Sequence, residues 1–271
     1  MDDEALIKQW ESLGISNDFI FCKVMEDEEL LAELIHLILP DIEFGDLAII
    51  AQKSERDGLD THGVRFDLFA KDGTGRVIEI EMQVLNTGNL PLRIRFYCSM
   101  IDTQMLAPNE SYSKLKDKYV IMICPFDPFK QGRHFYSFTS RCDQDYELQL
   151  GDKSTTIVLN ANGTMDDASD KLEAFLDYVA GRPSDDEYVQ KLEAAVKKAK
   201  ANKEWRRDYM TEQMRFLEHE EIGEQRGEQN ALVQTIINLM DSMKWTIEQA
   251  MDAMKIPTEE RSMYAGMVNK K

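Results

Sequence analysis

Residues 65–84 read "RFDLFAKDGTGRVIEIEMQV", and the second half of the stretch alternates: Glu79, Glu81 and Gln83 fall at every second position, each followed by an apolar residue. In a β-strand successive side chains point to opposite faces, so Ile78, Ile80, Met82 and Val84 line one side and the two acids and the amide line the other. The first side reads as core and the second as a site or as solvent-facing surface. Val64 to Ala70 alternates as well, and "KDGTGR" between the runs carries the Asp-Gly and Gly chemistry of a hairpin loop. Antiparallel pairing follows. If Lys71 opposes Val77, then Asp67 opposes Glu81 and Arg65 opposes Gln83; a slip of two sets Asp67 against Glu79 instead. Either register gathers an aspartate, a glutamate and a glutamine on one patch. Adjacent carboxylates repel, and protonation or a hard divalent cation relieves them. A plainer reading stays open: half-exposed strands carry Glu and Gln outward, with Arg65 or Arg76 neutralising them in surface pairs.

Around this hairpin the chain is long enough, at 271 residues with 43% apolar content, for one large domain or a domain with a helical extension. The four cysteines, Cys22, Cys98, Cys124 and Cys142, and the four histidines are dispersed, so neither a disulfide framework nor a zinc site is indicated. The start, "MDDEALIKQW", is acidic, and apolar runs such as "YVIMICPF" fall well short of the ~20 residues of a membrane span. A soluble, cytoplasmic protein without membrane association is the expectation. Net charge is -18, which opposes broad attraction to nucleic acid and leaves any phosphate contact to local basic groups.

Residues 16–39 read as a helix entry followed by a helix, with Leu30, Leu31, Leu34, Ile35 and Ile38 at helical spacing and Pro40 ending it. "DLAIIAQK" is a first strand, and the hairpin supplies the second and third. "LPLRIRFYCSMIDTQML" reads as a helix with Leu92, Phe96, Met100 and Met105 partly buried, and "KYVIMICPF" as a strand covered on both faces. From Gln131 to Gly163, "RHFYSFTSR", "YELQL" and "TTIVLN" are candidate strands of a β addendum. The fold class is thus α/β, a mixed sheet flanked by helices with a β addendum and a helical C-terminal extension, divided as residues 1–165 and 166–271. In the extension "KKAKANKEWRR" is either a phosphate-binding face or, more plainly, a solvated helix face; "EEIGEQRGEQ" reads as a hinge, and Thr246 with Gln249 as a capping box. The stripe Leu232, Ile236, Ile237 and Met240 predicts a face wanting a partner, hence a homodimer through the tail.

The order helix, three strands, helix, strand, with an acid on the second strand and acid-x-polar on the third, resembles the restriction-endonuclease-like PD-(D/E)XK superfamily. The stretches "SNDFIFCKVM", "RFDLFAKDGTGRVIEIEMQ", "LPLRIRFYCSMIDTQML", "YVIMICPFDPF" and "GEQRGEQNALVQTIINLMDSMKWTIEQAMDAMKIP" are similar to the PD-(D/E)XK nuclease family transposases, the recombination-promoting nucleases. That resemblance implies an α/β nuclease fold and a magnesium- or manganese-dependent endonuclease acting on DNA. It makes Asp67 and Glu81 the metal-holding acids, helped by the carbonyl of Met82, and places Gln83 where the wider superfamily has lysine. Arg93 and Tyr97 match an arginine and an aromatic residue on the following helix. Gln83 would position water or phosphate, Arg93 would stabilise developing charge or lock the helix onto the hairpin, and Glu79 is a further ligand or proton acceptor. Tyr97 reads as core. Because glutamine has no cationic charge and cannot be a general base, the competing expectation is a degenerate nuclease fold retained as a DNA-binding or protein-interaction module.

Overall fold

Asp72 closes the turn on which the sheet is built. Its Oδ1 accepts the backbone N–H of Thr74 (2.9 Å) and of Arg76 (2.9 Å) and the Thr74 hydroxyl (2.7 Å). Gly75 takes a φ of 90°, a region open to a residue without Cβ. The turn joins β2 (Val64–Asp72) to β3 (Val77–Met82) antiparallel, with Lys71 opposite Val77, Phe69 opposite Glu79 and Leu68 opposite Ile80. Of the two registers open to the sequence, this is the one that brings Asp67 beside Glu81. The computed structural model describes residues 3–55 and 64–268, the side chains of residues 3, 51–55, 64–66 and 219 excepted.

Three helices precede the sheet, α1 (Asp3–Ser12), α2 (Asp18–Met25) and α3 (Glu28–Ile38). The region expected as one entry and one helix breaks between α2 and α3, because Asp27 turns its carboxylate onto the N–H groups of Glu29 and Leu30 and starts a new helix. Then come β1 (Leu47–Glu55), the hairpin, α4 (Leu90–Met105) and β4 (Lys118–Cys124), the order read from the sequence. β5 (Phe135–Phe138), the short pair β6 (Arg141–Cys142) and β7 (Asp145–Gln149), and β8 (Ser154–Asn160) follow. The main sheet has six strands in the order β1-β2-β3-β4-β8-β5, with β3, β4 and β8 parallel. Of the strands read as an addendum, β8 and β5 therefore extend the main sheet, since Ile157, Val158 and Leu159 are buried and need cover; only β6 and β7 stand apart as a hairpin.

The sheet is covered on both faces. On one, Ile78, Ile80, Met82, Ile121 and Ile123 are buried on the side where α2 and α3 lie against the sheet. On the other, Phe69, Val77, Val120, Met122 and Val158 pack against Leu90, Ile94, Tyr97, Met100 and Ile101 of α4. Of the residues expected to be partly buried, Met100 is buried and Met105 packs against this cluster, while Leu92 and Phe96 are exposed, at 59% and 36%; the buried stripe runs through 90, 94, 97, 100 and 101. Both phases carry apolar residues in "LPLRIRFYCSM", so periodicity alone did not separate them.

The chain forms two compact units, residues 1–206 and 207–271. The first takes in α5 (Asp170–Val179) and α6 (Glu187–Ala201); the buried Tyr188 hydroxyl donates to the Leu30 carbonyl (2.9 Å), tying α6 to α3. Lys200, in the basic run, donates to the Leu13 carbonyl (3.0 Å) and so serves the fold rather than a phosphate face. α7 (Lys203–Met243) is helical through the stretch read as a hinge. In the second unit Val233, Ile236, Leu232, Ile237 and Met240 pack against residues of α8 (Ile247–Ala253) and α9 (Thr258–Val268), including Met251 and Tyr264. The stripe expected to want a second chain is thus covered in part from within, with Ile236 buried and Leu232, Ile237 and Met240 half-buried. The capping box of Thr246 and Gln249 forms as read.

Candidate active site

β2 and β3 stop exchanging backbone hydrogen bonds where the acids sit, and side chains take over. Asp67 Oδ2 accepts the Met82 N–H (3.0 Å), and Glu81 Oε2 accepts the Asp67 N–H at 3.4 Å. The two carboxylates are thereby held side by side at the end of the paired region, as the register requires. The acidic face is not solvated: Glu79, Glu81 and Gln83 are buried, at 0%, 2% and 5% exposure. This overturns the plainer reading of a wet strand face, because α4 lies across it. The Arg65 side chain lies outside the described residues, and Arg76 is bound instead to Asp72 (2.6 Å).

Pro91 in the first turn of α4 starts a helix that sets Arg93 and Tyr97 one turn apart, facing Glu81. The Arg93 guanidinium donates from Nη2 to Glu81 Oε1 and to the Tyr97 hydroxyl (2.7 Å), and from Nη1 to Gln83 Oε1 (2.8 Å). Tyr97 in turn donates to Glu81 Oε1 (3.0 Å). The residue read as core is thus both buried and bonded to the acid. The signal that could have found it was its position four after Arg93. Gln83 is committed at both ends of its amide, accepting from Arg93 and donating to the Leu85 carbonyl (2.6 Å), with one amide hydrogen left over.

Burial, with the Glu81 charge next, pushes the Asp67 carboxyl up to about 8. Glu81 is raised by burial too, against the opposing pull of Arg93 and Tyr97. Glu79 is raised well above its ordinary value, by complete burial and then by the charges of Glu81 and Asp67. Among the described residues no N–H or hydroxyl donates to either Glu79 oxygen, and a proton held between the Glu79 and Glu81 carboxyls raises Glu79 and lowers Glu81. Burial and Glu81 also hold the Tyr97 phenol well above its ordinary value, so it stays a donor.

The donors are hard oxygens in a crowded, desolvated patch, which is the chemistry a divalent cation fits. Among the described residues no three His, Cys, Asp or Glu side chains already converge as a ligand cage. Asp67 on β2 and Glu81 on β3, with Met82 following Glu81 in its strand, are the residues that could hold an ion. A separate cleft of about 480 Å³, lined by Glu28, Glu29, His36 and Glu43 among others, includes none of them.

Compared with known proteins, residues 15–235 match the model of the family described as PD-(D/E)XK nuclease family transposase. The chain belongs to this family. Membership of the PD-(D/E)XK nuclease family transposases covers the sheet, the hairpin acids and α4 together, and it supports a nuclease-like or transposase-associated role. No curated protein and no solved structure matches the chain. Within this PD-(D/E)XK family member, no helix among the described residues is long and apolar enough to cross a membrane.

Proposed function

We propose that the protein is a metal-dependent endodeoxyribonuclease that hydrolyses phosphodiester bonds, using magnesium or manganese. The observation that carries this is the pair of half-buried Asp67 and buried Glu81, aligned by the hairpin and crossed by Arg93 of α4 in a nuclease-family chain. Asp67, Glu81 and the Met82 carbonyl would hold the cation. When bound, such an ion lowers the pKa of a coordinated water and neutralises charge on the phosphoryl oxygens. Arg93, 37% exposed at its side chain, reaches from the protein edge toward Glu81 and is placed to meet a phosphate oxygen. Gln83 fixes the Arg93 guanidinium through its amide oxygen and has a single amide hydrogen for water or phosphate. Tyr97 steadies both Arg93 and Glu81.

The second reading, a catalytically silent module binding DNA or protein, is favoured by the occupation of Glu81 by Arg93 and by glutamine where lysine is usual. Incubating purified protein with plasmid, duplex and single-stranded DNA, with and without magnesium or manganese, separates the two. Metal-dependent nicking that is lost in Asp67→Ala and Glu81→Ala supports the nuclease. Wild-type protein that leaves every substrate intact while still binding DNA supports the module.

A further inference from the structure

A pocket of about 450 Å³ opens at the turn end of the hairpin, lined by Lys71, Lys114 and Lys116 with Ser113 and, as the one acid among the described lining residues, Glu110. Lys71 belongs to the end of β2, and the other two lysines to the loop that leads into β4. They converge over the bare backbone of the turn: a Cβ on Gly75 would stand 3.4 Å from Lys116 Cγ and 3.7 Å from Lys71 Cε. The neighbouring acids are already bound, Glu110 to Lys114 (2.7 Å), Asp72 to Arg76 (2.6 Å) and Asp102 to Lys118. Among the described residues, neither the Lys71 nor the Lys116 ammonium has a carboxylate partner.

Two surface lysines side by side carry little meaning in most chains, and the charge balance of this one gives them more. With 50 Asp and Glu against 32 Lys and Arg, acids are in surplus for any lysine to pair with. Residues 90–118, α4 and the loop after it, reverse that balance with five Lys or Arg and three Asp or Glu. Two of those acids are held by Lys114 and Lys118, and the third, Asp117, does not line the pocket. Cations gathered without counter-charge repel one another and focus a local positive potential that an anion relieves. Ammonium groups only donate, so the anion they suit is one rich in acceptor oxygens, a phosphate.

The pocket and the hairpin acids share one face of the sheet. Lys71 lies four residues beyond Asp67 on β2, and an interval of four returns a strand to the same face. At about 3.3 Å per residue the two are roughly 13 Å apart, the rise of about four nucleotides along one DNA strand. Arg93 stands in the first turn of α4, and Met105, its last residue, borders the pocket, so α4 joins the two places. We propose that Lys71 and Lys116 hold a backbone phosphate of DNA a few nucleotides from the phosphate presented to Asp67 and Glu81. The proposal rests on the DNA-directed reading above. Such a contact carries no base preference and sets where the strand lies. The alternatives are two solvated lysines without a ligand and a pocket for free phosphate.

Fluorescence anisotropy of the full chain with labelled duplexes, in EDTA so that nothing is cleaved, decides between them when repeated from about 50 to 200 mM salt. Losing one phosphate contact lowers the slope of log affinity against log salt by about 0.9. The double variant Lys71→Gln, Lys116→Gln should show that drop and bind duplexes of unrelated sequence equally more weakly. Lys8→Gln with Lys191→Gln removes the same charge from exposed lysines paired with Glu4 (2.9 Å) and Glu33 (3.1 Å), and should keep the wild-type slope. A pocket variant with the wild-type slope overturns the proposal, as does a control whose slope falls as far, or wild-type protein that binds no duplex. Equal slopes, with inorganic phosphate raising the melting temperature of wild type but not of the pocket variant, overturn the DNA assignment in favour of a free phosphate. Wild-type protein that nicks no DNA with magnesium or manganese, yet shows the slope difference, overturns the nuclease reading and leaves this contact standing.

Discussion

Replacing Arg93 with methionine keeps most of the apolar stem and removes the guanidinium from Glu81. The variant leaves Glu81, 2% exposed, with the Tyr97 hydroxyl at 3.0 Å and the long Asp67 N–H contact as its remaining donors. Removing one member of a buried pair costs about 3–5 kcal/mol because the other charge is left uncompensated. Arg93 is 37% exposed, so water reaches part of the vacated space and the expected loss at pH 8 drops to about 2–4 kcal/mol. Without the arginine the Glu81 carboxyl, already raised by burial, is raised further. A carboxyl with a raised folded-state pKa contributes stability at low pH and loses it as pH rises through that value. Lowering the pH should therefore protonate Glu81 more readily in the variant than in wild type, and the loss at pH 5 should be smaller than at pH 8, shrinking toward that of the broken hydrogen bonds, about 1–2 kcal/mol. Urea unfolding at pH 5 and pH 8, followed by circular dichroism and tryptophan fluorescence with the two units fitted separately, measures both numbers. An equal loss at the two pH values, or one below about 1 kcal/mol at pH 8, refutes the assignment of Arg93 as the charge partner of Glu81.

Other perturbations test the rest of the arrangement. Asp67, pushed up to about 8 by burial and Glu81, should make the metal-free protein less stable as pH rises from about 4 toward 8; Asp67→Asn should flatten that slope in melting experiments, and parallel slopes would speak against it. Glu79→Met, which removes the fully buried carboxyl repelled by Glu81 and Asp67, should raise metal-free stability at pH 8 by about 1–3 kcal/mol, and a lower melting temperature would contradict it. Tyr188→Phe loses the bond to the Leu30 carbonyl and should cost about 1–2 kcal/mol while leaving manganese binding untouched. Gly163→Ala would set a Cβ 2.3 Å from the His134 ring, so a loss of about 1–3 kcal/mol is expected; a neutral result would show that the ring yields freely.

Much of the fold was legible in local pattern. Alternation from Ile78 to Gln83 and the Asp-Gly turn set Asp67 on the face of Glu79 and Glu81, since period-2 geometry leaves only registers that differ by two, and the structure chose the one with Lys71 opposite Val77 that puts Asp67 beside Glu81. The continuous apolar run of β4 announced a strand buried on both faces, and Thr246 with Gln249 announced a helix start. Tyr97 was legible only in part: its spacing from Arg93 was visible, but its apolar ring pointed to core, and it is core and donor at once.

The sequence by itself determined which side chains share a face, because that depends on the backbone repeat alone. It could not determine what covers the face. Glu79, Glu81 and Gln83 read equally well as solvent-facing, and only the packing of α4 across β3 and β4 desolvates them, raises the acids and brings Arg93 down onto Glu81. The same holds for the tail, where Leu232, Ile236 and Ile237 form a stripe in any helix and only the fold of α8 and α9 back onto α7 supplies its partner. Facing is a local property of chain geometry; burial, and the shifted acid chemistry that follows from it, is a property of elements distant in sequence that the hydrophobic effect brings together.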